Sequence, residues 1–268
     1  MKIGNKTFNV HSQTYIVGIL NITPDSFYDG GRYDTLDKIL AHTEKMINDG
    51  ADIIDIGGMS TKPGHDIISC EEEMQRVVPV IQEIRRRFAL PLSIDTYRSE
   101  VARAAIDAGA DMVNDIWGTL YDKGEMAKTI NQSGVPCCLV HNSQSLVTKT
   151  EDVLIGLQRC IDHAVSCGID TSRIILDPGI GFAKETQLNL RLIKDIARFG
   201  ELGYALLLGA SRKSVIGYAL NLPGEERLEG TLAVTAYALL KTHIAFLRVH
   251  DVKENVRVRD MIYAIQNA

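Results

Sequence analysis

The sequence predicts an α/β protein of one domain, a (β/α)8 TIM barrel preceded by a short N-terminal β-hairpin. The first observation is an alternation of short apolar runs, typical of buried strands, with longer segments of helical periodicity. The second is that strand and helix follow one another eight times, which is the repeat number of a closed barrel. The third is the length of 268 residues, which suits one such barrel. An open, doubly wound sheet is the alternative, since strand order cannot be read from one sequence.

A short hairpin is predicted at the start of the chain, followed by eight strands. Residues 2–10 contain a Gly-Asn turn between two short runs, which is typical of a small hairpin and could cap the amino end of the barrel. The predicted strands are Tyr15–Leu20, Asp52–Ile56, Leu92–Ile94, Asp111–Val113, Pro136–Val140, Arg173–Leu176, Tyr204–Leu208 and Ile244–Val249.

A helix is predicted after each strand. Gly50, Gly109, Gly134 and Gly168 each lie just beyond a helical segment, where a residue in the left-handed conformation would end the helix. No Pro/Ser-rich linker interrupts the series, so one domain over residues 1–268 is expected. The predicted helices are Thr35–Asn48, Cys70–Phe88, Ser99–Ala108, Gly124–Gln132, Glu151–Cys167, Thr186–Phe199, Arg227–Lys241 and Lys253–Ile265.

Composition and charge exclude several classes of protein. Hydrophobic residues at 45% and charged residues at 24% are typical of a soluble globular protein. The net charge is −5, and the basic run at residues 85–87 is predicted to be a solvated helix face, so nucleic acid is not an expected partner. No apolar run approaches the ~20 residues of a membrane span, and no apolar signal region is visible, so we expect a cytoplasmic protein without a membrane partner.

The cysteines and the common cofactor motifs give further exclusions. The five cysteines show no C-x-x-C spacing, which argues against a disulfide framework or a zinc site and favours buried thiols. Cys137 and Cys138 are expected to point to opposite sides of one strand. The glycine fingerprints of nicotinamide and ATP sites are missing, as are H-E-x-x-H and a nucleophile elbow.

Polar residues follow every predicted strand, and in a closed barrel the carboxyl ends of the strands meet at one rim. A single Asp or Asn after a strand is more often a helix cap or a turn residue, but that explanation does not account for all eight ends. The sequence therefore predicts an active site at this rim. The polar residues are Asn21, Asp55, Thr61, Lys62, Asp95, Asn114, Asp115, His141, Asp177, Ser211, Arg212, Lys213, Arg248 and His250.

The charges at this rim are expected to form two groups. Asp95, Asn114 and Asp177 offer mainly acceptors and an amide, which suits a heterocycle that carries N–H donors. The second group offers positive charge, which suits a phosphate. We therefore expect a substrate with a flat polar ring at one end and a phosphate at the other. The second group is Lys62, Arg212, Lys213, Arg248 and His250.

Seven segments resemble the dihydropteroate synthases, a family of pterin-binding barrels. Gly18–Gly31 reads GILNITPDSFYDGG and Asp55–Gly64 reads DIGGMSTKPG, which are similar to the first two signatures of that family. The other five are SIDT at Ser93–Thr96, VNDI at Val113–Ile116, LDPGIGFAK at Leu176–Lys184, SRKS at Ser211–Ser214 and RVHD at Arg248–Asp251. One such segment would be weak support, but the seven occur in family order and are spread over nearly the whole chain.

The resemblance implies a transferase of folate biosynthesis and the target of sulfonamides. The reaction would join 6-hydroxymethyl-7,8-dihydropterin diphosphate to p-aminobenzoate, giving 7,8-dihydropteroate and pyrophosphate. It implies Mg²⁺ as cofactor, small-molecule substrates as partners and a homodimer. Because an arylamine is a weak nucleophile, C–O cleavage would come first, and catalysis would depend on stabilising charge where it develops.

The resemblance also assigns residues. The pterin would be held by Asp95, Asn114, Asp177 and Lys213, with Ile116 and Phe182 along its flat faces. Asn21 matches the Mg²⁺ ligand. The residues for the diphosphate would be Thr61, Arg248 and His250, and those for p-aminobenzoate Ser211, Thr61, Lys62 and Pro63. The catalytic set would be Lys213, Asp95 and Asp177, with Asp25 and Phe27 in a loop that closes over the site.

Three departures from the family pattern concern the arylamine. Met59 stands where Glu is common, Lys62 where Arg is common, and the fifth strand ends in LVHNSQ where His-Met-x-Gly is more usual. Lysine keeps the charge of arginine but lacks its planar two-pronged geometry. Affinity for p-aminobenzoate and response to sulfonamides are therefore the properties expected to differ.

Two other functions remain as alternatives. A pterin-barrel methyltransferase would share the Asp and Asn residues that hold the pterin, but it has no use for a diphosphate clamp, so the SRKS and RVHD segments argue against it. A catalytically idle barrel would be expected to have lost charged residues of the clamp. Asn21, Lys213, Arg248 and His250 are all present.

Overall fold

Eight parallel strands close into a barrel in this computed structural model, which describes residues 1–22, 32–59 and 67–268. A two-stranded antiparallel hairpin, β1 (Lys2–Ile3) and β2 (Lys6–Thr7), precedes it. The barrel order follows the chain from β3 to β10, and β10 pairs with β3 to close it. The predicted (β/α)8 barrel and hairpin are thus confirmed, and the open sheet is excluded. The strands are β3 (Tyr15–Asn21), β4 (Ile53–Gly57), β5 (Leu92–Asp95), β6 (Met112–Asp115), β7 (Cys137–Val140), β8 (Ile174–Asp177), β9 (Ala205–Leu208) and β10 (Phe246–Val249).

Helices cover the outside of the barrel. The helices differ from the prediction at two places. The segment 186–199 forms two helices instead of one, with a bend at Asp195. The Asp195 carboxylate accepts a hydrogen bond from the Thr150 hydroxyl at 3.0 Å. The seven-residue helix Ser214–Leu220 was not predicted. The helices are α1 (Arg32–Asn48), α2 (Cys70–Arg87), α3 (Ser99–Asp107), α4 (Glu125–Ser133), α5 (Thr150–Ser166), α6 (Thr186–Lys194), α7 (Ala197–Gly200), α8 (Ser214–Leu220), α9 (Leu228–Lys241) and α10 (Val252–Gln266).

Four glycines end helices as the sequence predicts. Gly50, Gly109, Gly134 and Gly168 have φ of 102°, 117°, 74° and 91°, all in the left-handed region that glycine adopts without strain. A Cβ on Gly134 would meet nothing within 4 Å, so backbone conformation rather than space is what requires glycine there. These caps turn the chain from each helix into the following strand.

The hairpin closes the amino end of the barrel. Ile3 and Phe8 are almost fully buried and pack with inward-facing side chains of the strands. The ring of Phe8 meets that of Tyr15 edge to face, with centroids 4.7 Å apart, and lies 5.8 Å from that of Phe246. The cap suggested by the sequence is therefore present, and the site is left to the opposite end.

Strand alternation sorts side chains between two layers. Cys137 packs in the layer between strands and helices, whereas Cys138 packs inside the barrel with the hairpin, as predicted. All five cysteines are free thiols. No helix in the described ranges is long and apolar enough to cross a membrane.

The basic run at residues 85–87 is not simply a solvated face. Arg85 forms an ion pair with Asp111 and donates to the carbonyl oxygens of Gly109 and Leu90, so it ties α2 to the loops at the amino ends of the strands. The other two arginines pair with Glu83 on their own helix, as an exposed helix face would.

Candidate active site

A buried ionic cluster lies at the carboxyl ends of the strands. The Arg248 guanidinium donates from Nε to Asp55 Oδ2 at 2.6 Å and from Nη2 to Asp95 Oδ2 at 2.7 Å. The same Asp55 oxygen accepts a hydrogen bond from Asn114 Nδ2 at 3.1 Å. One arginine, two carboxylates and one amide from four strands therefore meet inside the barrel.

Strand register explains why these side chains meet. β4 pairs with β5 so that Gly57 is opposite Asp95, and β5 pairs with β6 so that Asp95 is opposite Asn114. Asp55 lies two residues before Gly57, and side chains at that spacing face the same side of a strand. All of these positions therefore face the barrel interior.

Unpaired polar atoms show where a ligand could bind in this cluster. Asp55, Asp95 and Asn114 are at most 8% exposed, and each has an Oδ1 atom with no hydrogen-bond partner. Buried polar atoms are normally paired, because leaving one unmatched costs roughly 1–3 kcal/mol. Three unpaired acceptors together suit a ligand that brings N–H groups.

Burial and pairing shift the ionisation of the cluster. Burial raises the pKa of Asp95 to about 7, although Arg248 opposes the shift. Burial by itself would lower the pKa of Arg248, but Asp55 and Asp95 more than compensate and raise it above its ordinary value. The arginine thus stays charged, whereas Asp95 is more easily protonated than an ordinary aspartate.

A second group of side chains adjoins this cluster at the ends of β8 and β9. Asp177 Oδ1 accepts from the backbone N–H of Gly179 at 2.7 Å, and Lys213 Nζ donates to the carbonyl oxygen of Ile180. The Lys213 ammonium also lies 4.6 Å from the centroid of the Phe182 ring, within cation–π distance. A Cβ on Gly209 would lie 3.2 Å from Asp177 Oδ2 and 3.9 Å from Arg248 Cδ, so both groups border the same space.

Lys213 and Asp177 each influence the charge of the other. Burial lowers the pKa of Lys213 to about 8, and Asp177 opposes that change. Burial raises the pKa of Asp177, and Lys213 opposes that change. Buried, charge-coupled groups of this kind cluster at functional sites.

Three further predicted residues lie at the same end of the barrel. Ser211 Oγ and His250 Nδ1 are 3.0 Å apart, which joins the loops after β9 and β10. Asn21 is exposed at the end of β3, and a Cβ on Gly57 would lie 3.6 Å from Asn21 Oδ1 and 3.8 Å from Asp95 Oδ2. Asn21 therefore borders the mouth of the ionic cluster.

Six predicted site residues remain to be located. Ile116 is 7% exposed and directly follows β6. Five lie outside the described residues, and their predicted roles stay predictions. They are Asp25, Phe27, Thr61, Lys62 and Pro63.

The positive and negative groups, which were expected to be apart, are in contact in the structure, and the substrate group that each was predicted to bind stays a prediction. Arg248, expected beside a phosphate, forms ion pairs with Asp55 and Asp95 within the acceptor group. Arg212 is held in a two-pronged ion pair with Asp251 at 2.7 and 2.8 Å, so it acts as a link between loops.

Two strand-end residues do not face the site. His141 packs outward, and a Cβ on Gly156 of α5 would lie only 2.3 Å from its ring. Asp115 accepts from the backbone N–H groups of Trp117 and Thr119 at 2.9 and 2.7 Å, which makes it a turn residue. Both lie at positions where the side chains of their strands point toward the helices, whereas Asp55 and Asn114 lie at positions where side chains point into the barrel. Asp55 was predicted to lie at the rim, but the family motifs gave it no role; the alternation of side chains along the strand is the sequence signal that places it inside the barrel.

A groove of about 590 Å³ opens at the opposite end of the barrel. It is lined by hairpin residues such as Lys2 and Val10 and by the loop at residues 133–136. In barrels of this type the chemistry takes place at the carboxyl ends of the strands, where the ionic cluster lies. The cluster, and not this groove, is therefore the candidate active site.

The fold and the cluster together define a class: a TIM-barrel protein with a buried ionic cluster whose unpaired acceptor atoms lie at the carboxyl ends of the strands. The "Pterin binding enzyme" family matches residues 17–250. A dihydropteroate synthase of Clostridium beijerinckii is 53% identical over 97% of this chain and 97% of its own length. That of Bacillus subtilis is 47% identical, covering 95% of this chain and 90% of its own.

Solved structures agree with the sequence relatives. A Clostridium difficile dihydropteroate synthase, determined in the presence of pteroic acid, has a TM-score of 0.93 and 42% identity and covers 98% of this chain and 100% of its own. The Yersinia pestis enzyme in a sulfonamide complex has a TM-score of 0.91 and 36% identity, covering 100% and 99%. The chain belongs to the pterin-binding enzymes and, among these, to the dihydropteroate synthase family of transferases.

Proposed function

We propose that this enzyme joins 6-hydroxymethyl-7,8-dihydropterin diphosphate to p-aminobenzoate, forming 7,8-dihydropteroate and pyrophosphate. The observation that carries this proposal is the set of unpaired acceptors on Asp55, Asp95 and Asn114, beside the ion pairs of Arg248. Family membership supports it, as do the pteroic acid of the Clostridium difficile structure and the 4-aminobenzoic acid bound to a Xanthomonas albilineans relative of 37% identity and TM-score 0.90, which covers 96% of this chain and 94% of its own.

The dihydropterin would lie across the barrel mouth, over the inward-facing residues. Its ring amino and N–H groups would donate to Asp95, Asn114 and Asp177, which would supply partners for buried acceptors. Phe182 and Ile116 would contact the faces of the ring. Lys213 would donate to a ring acceptor, because its ammonium lies 4.6 Å from the centroid of the Phe182 ring and interacts electrostatically with Asp177.

The diphosphate would lie toward His250 and Arg248. The guanidinium of Arg248 would then interact with both the anionic substrate and its own carboxylate partners. Among the described residues no cluster of three His, Cys, Asp or Glu could hold a metal by itself. Asn21 fits Mg²⁺ in another way, because this ion commonly takes one or two protein oxygens together with substrate phosphates. When bound through Asn21, Mg²⁺ would neutralise part of the diphosphate charge.

The proposed reaction breaks the C–O bond to the diphosphate before the C–N bond forms. The bonding electron pair leaves with pyrophosphate, and the pterin CH₂ becomes a cation that the arylamine nitrogen attacks before losing its proton to solvent. Arg248 and His250 would stabilise the leaving anion, and Asp95 and Asp177 the cation. The electrostatic interactions of these fixed charges are stronger in a buried site than in water.

The p-aminobenzoate would bind near Ser211 and near residues 61–63, as the family resemblance implies. Asp25 and Phe27 are proposed to act from the loop after β3. We further propose that the protein acts in the cytoplasm as a homodimer of one-domain subunits, which sedimentation of the purified enzyme would test.

A pyrophosphate-release assay tests the function. Dihydropterin diphosphate is supplied with and without p-aminobenzoate and with and without Mg²⁺, and 7,8-dihydropteroate is measured by chromatography. We expect product only when both substrates are present, and a strong decrease when the metal is chelated. Pyrophosphate release that needs no arylamine would contradict the proposal.

Two variants test the assigned residues in the same assay. Asp177→Asn keeps an oxygen for the Gly179 N–H but presents an amide donor to the pterin, and Lys213→Ala removes the ammonium. Each is expected to lower kcat/KM by about a hundredfold or more, because a buried site rejects a mismatched polar group strongly. Circular dichroism checks the fold. Asp170→Asn, at an exposed cap far from the rim, is the control, and wild-type rates in either site variant would refute its role.

A further inference from the structure

The loop between β8 and α6, residues 178–185, supports three of the proposed pterin contacts. Its Gly179 N–H donates to Asp177, and its Ile180 carbonyl oxygen accepts from Lys213. It also carries Phe182, whose ring lies beneath the Lys213 ammonium. A shift of this loop would therefore move all three side chains together.

A buried lysine holds this loop. Lys184 is 9% exposed, and its Nζ donates to the carbonyl oxygens of Phe182 at 2.8 Å, Gly179 at 2.9 Å and His141 at 3.1 Å. Two of these acceptors belong to the loop and the third to the end of β7. The three N–H donors of one ammonium group thus join the loop to a neighbouring strand.

The backbone around Lys184 leaves little freedom. Gly179 has a φ of 69°, and a Cβ there would lie 2.0 Å from the carbonyl oxygen of His141, so the loop lies directly against β7. A second buried side chain, Asn189 of α6, accepts from the Gly181 N–H at 2.7 Å and donates to the carbonyl oxygen of Glu185 at 3.1 Å. Both anchors lie outside the proposed pterin contacts.

We propose that Lys184 is a positioning residue for the pterin half of the reaction, because its ammonium fixes the loop that orients Asp177, Phe182 and Lys213. The inference rests on the proposed function. Asn189 of α6 holds the same loop through Gly181 and Glu185, so two independent substitutions test one role.

The charge state of Lys184 predicts a specific dependence of activity on pH. The ionisable groups that face it are Asp177, Lys213 and the buried His141. Burial lowers the pKa of Lys184 to about 7, and Asp177 opposes that shift. A neutral amine has two N–H donors for three carbonyl oxygens, so one anchor is lost once the proton leaves.

The test compares Lys184→Met with Lys194→Met, a matched change on the exposed face of α6. Steady-state kinetics give separate KM values for the two substrates, and calorimetry gives the Kd of unreactive 6-hydroxymethyl-7,8-dihydropterin. Loss of charge-assisted hydrogen bonds is expected to raise the pterin KM and Kd about tenfold or more, with the KM for p-aminobenzoate within about twofold. Lys194→Met is expected to match the wild type.

The pH dependence separates positioning from general destabilisation. As pH rises from about 6 to about 9, the ratio of wild-type to Lys184→Met kcat/KM is expected to fall, because the wild type loses one anchor itself. A ratio independent of pH, or an equal change in both KM values, would overturn the proposal.

Asn189→Ala keeps the proposal testable if Lys184→Met does not fold. It is expected to raise the pterin KM and Kd selectively, and unchanged values would overturn the shared role. A wild type without turnover contradicts the proposed function instead, which keeps the two failures distinct.

Discussion

Asp55 is the residue on which the ionic cluster converges. Its Oδ2 accepts from Arg248 and Asn114, which are 193 and 59 positions away in sequence. The family motif includes Asp55, but its partners depend on strand parity and register around a closed barrel. The sequence therefore predicted Asp95, Asn114 and Arg248 as site residues, without predicting that Arg248 pairs with carboxylates.

Removing the charge of Asp55 is expected to destabilise the fold. Asp55→Asn leaves Arg248 with one of its two carboxylates in a buried setting, which should lower the free energy of unfolding by about 3 kcal/mol. Urea unfolding measures this. The control is Glu151→Gln, which breaks the exposed ion pair with Arg198 and should change stability by less than about 1 kcal/mol. An equal decrease in the free energy of unfolding in the two variants would contradict the expectation that burial makes the Asp55–Arg248 ion pair more important for stability than an exposed pair.

His141 is expected to make the protein less stable in acid. Burial lowers the pKa of His141 to about 3, and the positive charge of Lys184 acts in the same direction. Between the ordinary value of 6.5 and about 3 the unfolded chain therefore binds the extra proton, so stability falls as pH decreases through that window.

A comparison with His141→Gln isolates this effect. Burial raises the pKa of Asp95 and of Asp115 to about 7, which gives the opposite slope, but both residues are common to the two proteins. The wild type should lose up to ~1.4 kcal/mol per pH unit relative to the variant. Parallel stability curves between pH 6.5 and pH 3 would show that His141 is protonated in the folded state.

At the scale of elements, strands and helix ends were predictable because their signals are local. The four terminal glycines were identified from position alone, and each predicted strand lies within two residues of the observed one. The helix Ser214–Leu220 was missed because seven residues give too short a periodic pattern. The bend at Asp195 was missed because it involves Thr150, a residue distant in sequence.

The close packing of α8 and α9 is open to a direct test. A Cβ on Gly230 of α9 would lie 2.3 Å from Ile216 Cγ2 of α8, a contact that requires the helices to move apart. Gly230→Ala should lower the free energy of unfolding by about 1–2 kcal/mol, despite the better helix propensity of alanine. Gly224→Ala is the matched control, because its Cβ would meet nothing within 4 Å. Urea midpoints that agree for both variants would contradict this packing.

At the scale of the whole molecule, the barrel divides stability from chemistry. The hairpin and the aromatic side chains of Phe8, Tyr15 and Phe246 fill the amino end. The ionic cluster occupies the carboxyl end, as expected for this architecture. Substitutions at the two ends should therefore have different consequences.

Phe8→Ala is expected to weaken the fold while leaving the site intact. Loss of a buried aromatic side chain costs about 3–5 kcal/mol, but kcat should stay within about twofold of wild type at a temperature where the variant is folded. Thermal unfolding and the pyrophosphate assay measure the two properties. A folded variant with greatly reduced kcat would show that the two ends are coupled.

The position of Arg248 on β10 has a consequence for biosynthesis. As the chain emerges from the ribosome, the strands carrying Asp55 and Asp95 are made long before the strand that supplies their guanidinium partner. Until then, two carboxylates would face each other in a half-formed cylinder, where burial is unfavourable for both. When β10 pairs with β9 and β3, it closes the barrel and supplies the missing positive charge. We therefore expect the complete site to form only after the last strand has been synthesised and has paired.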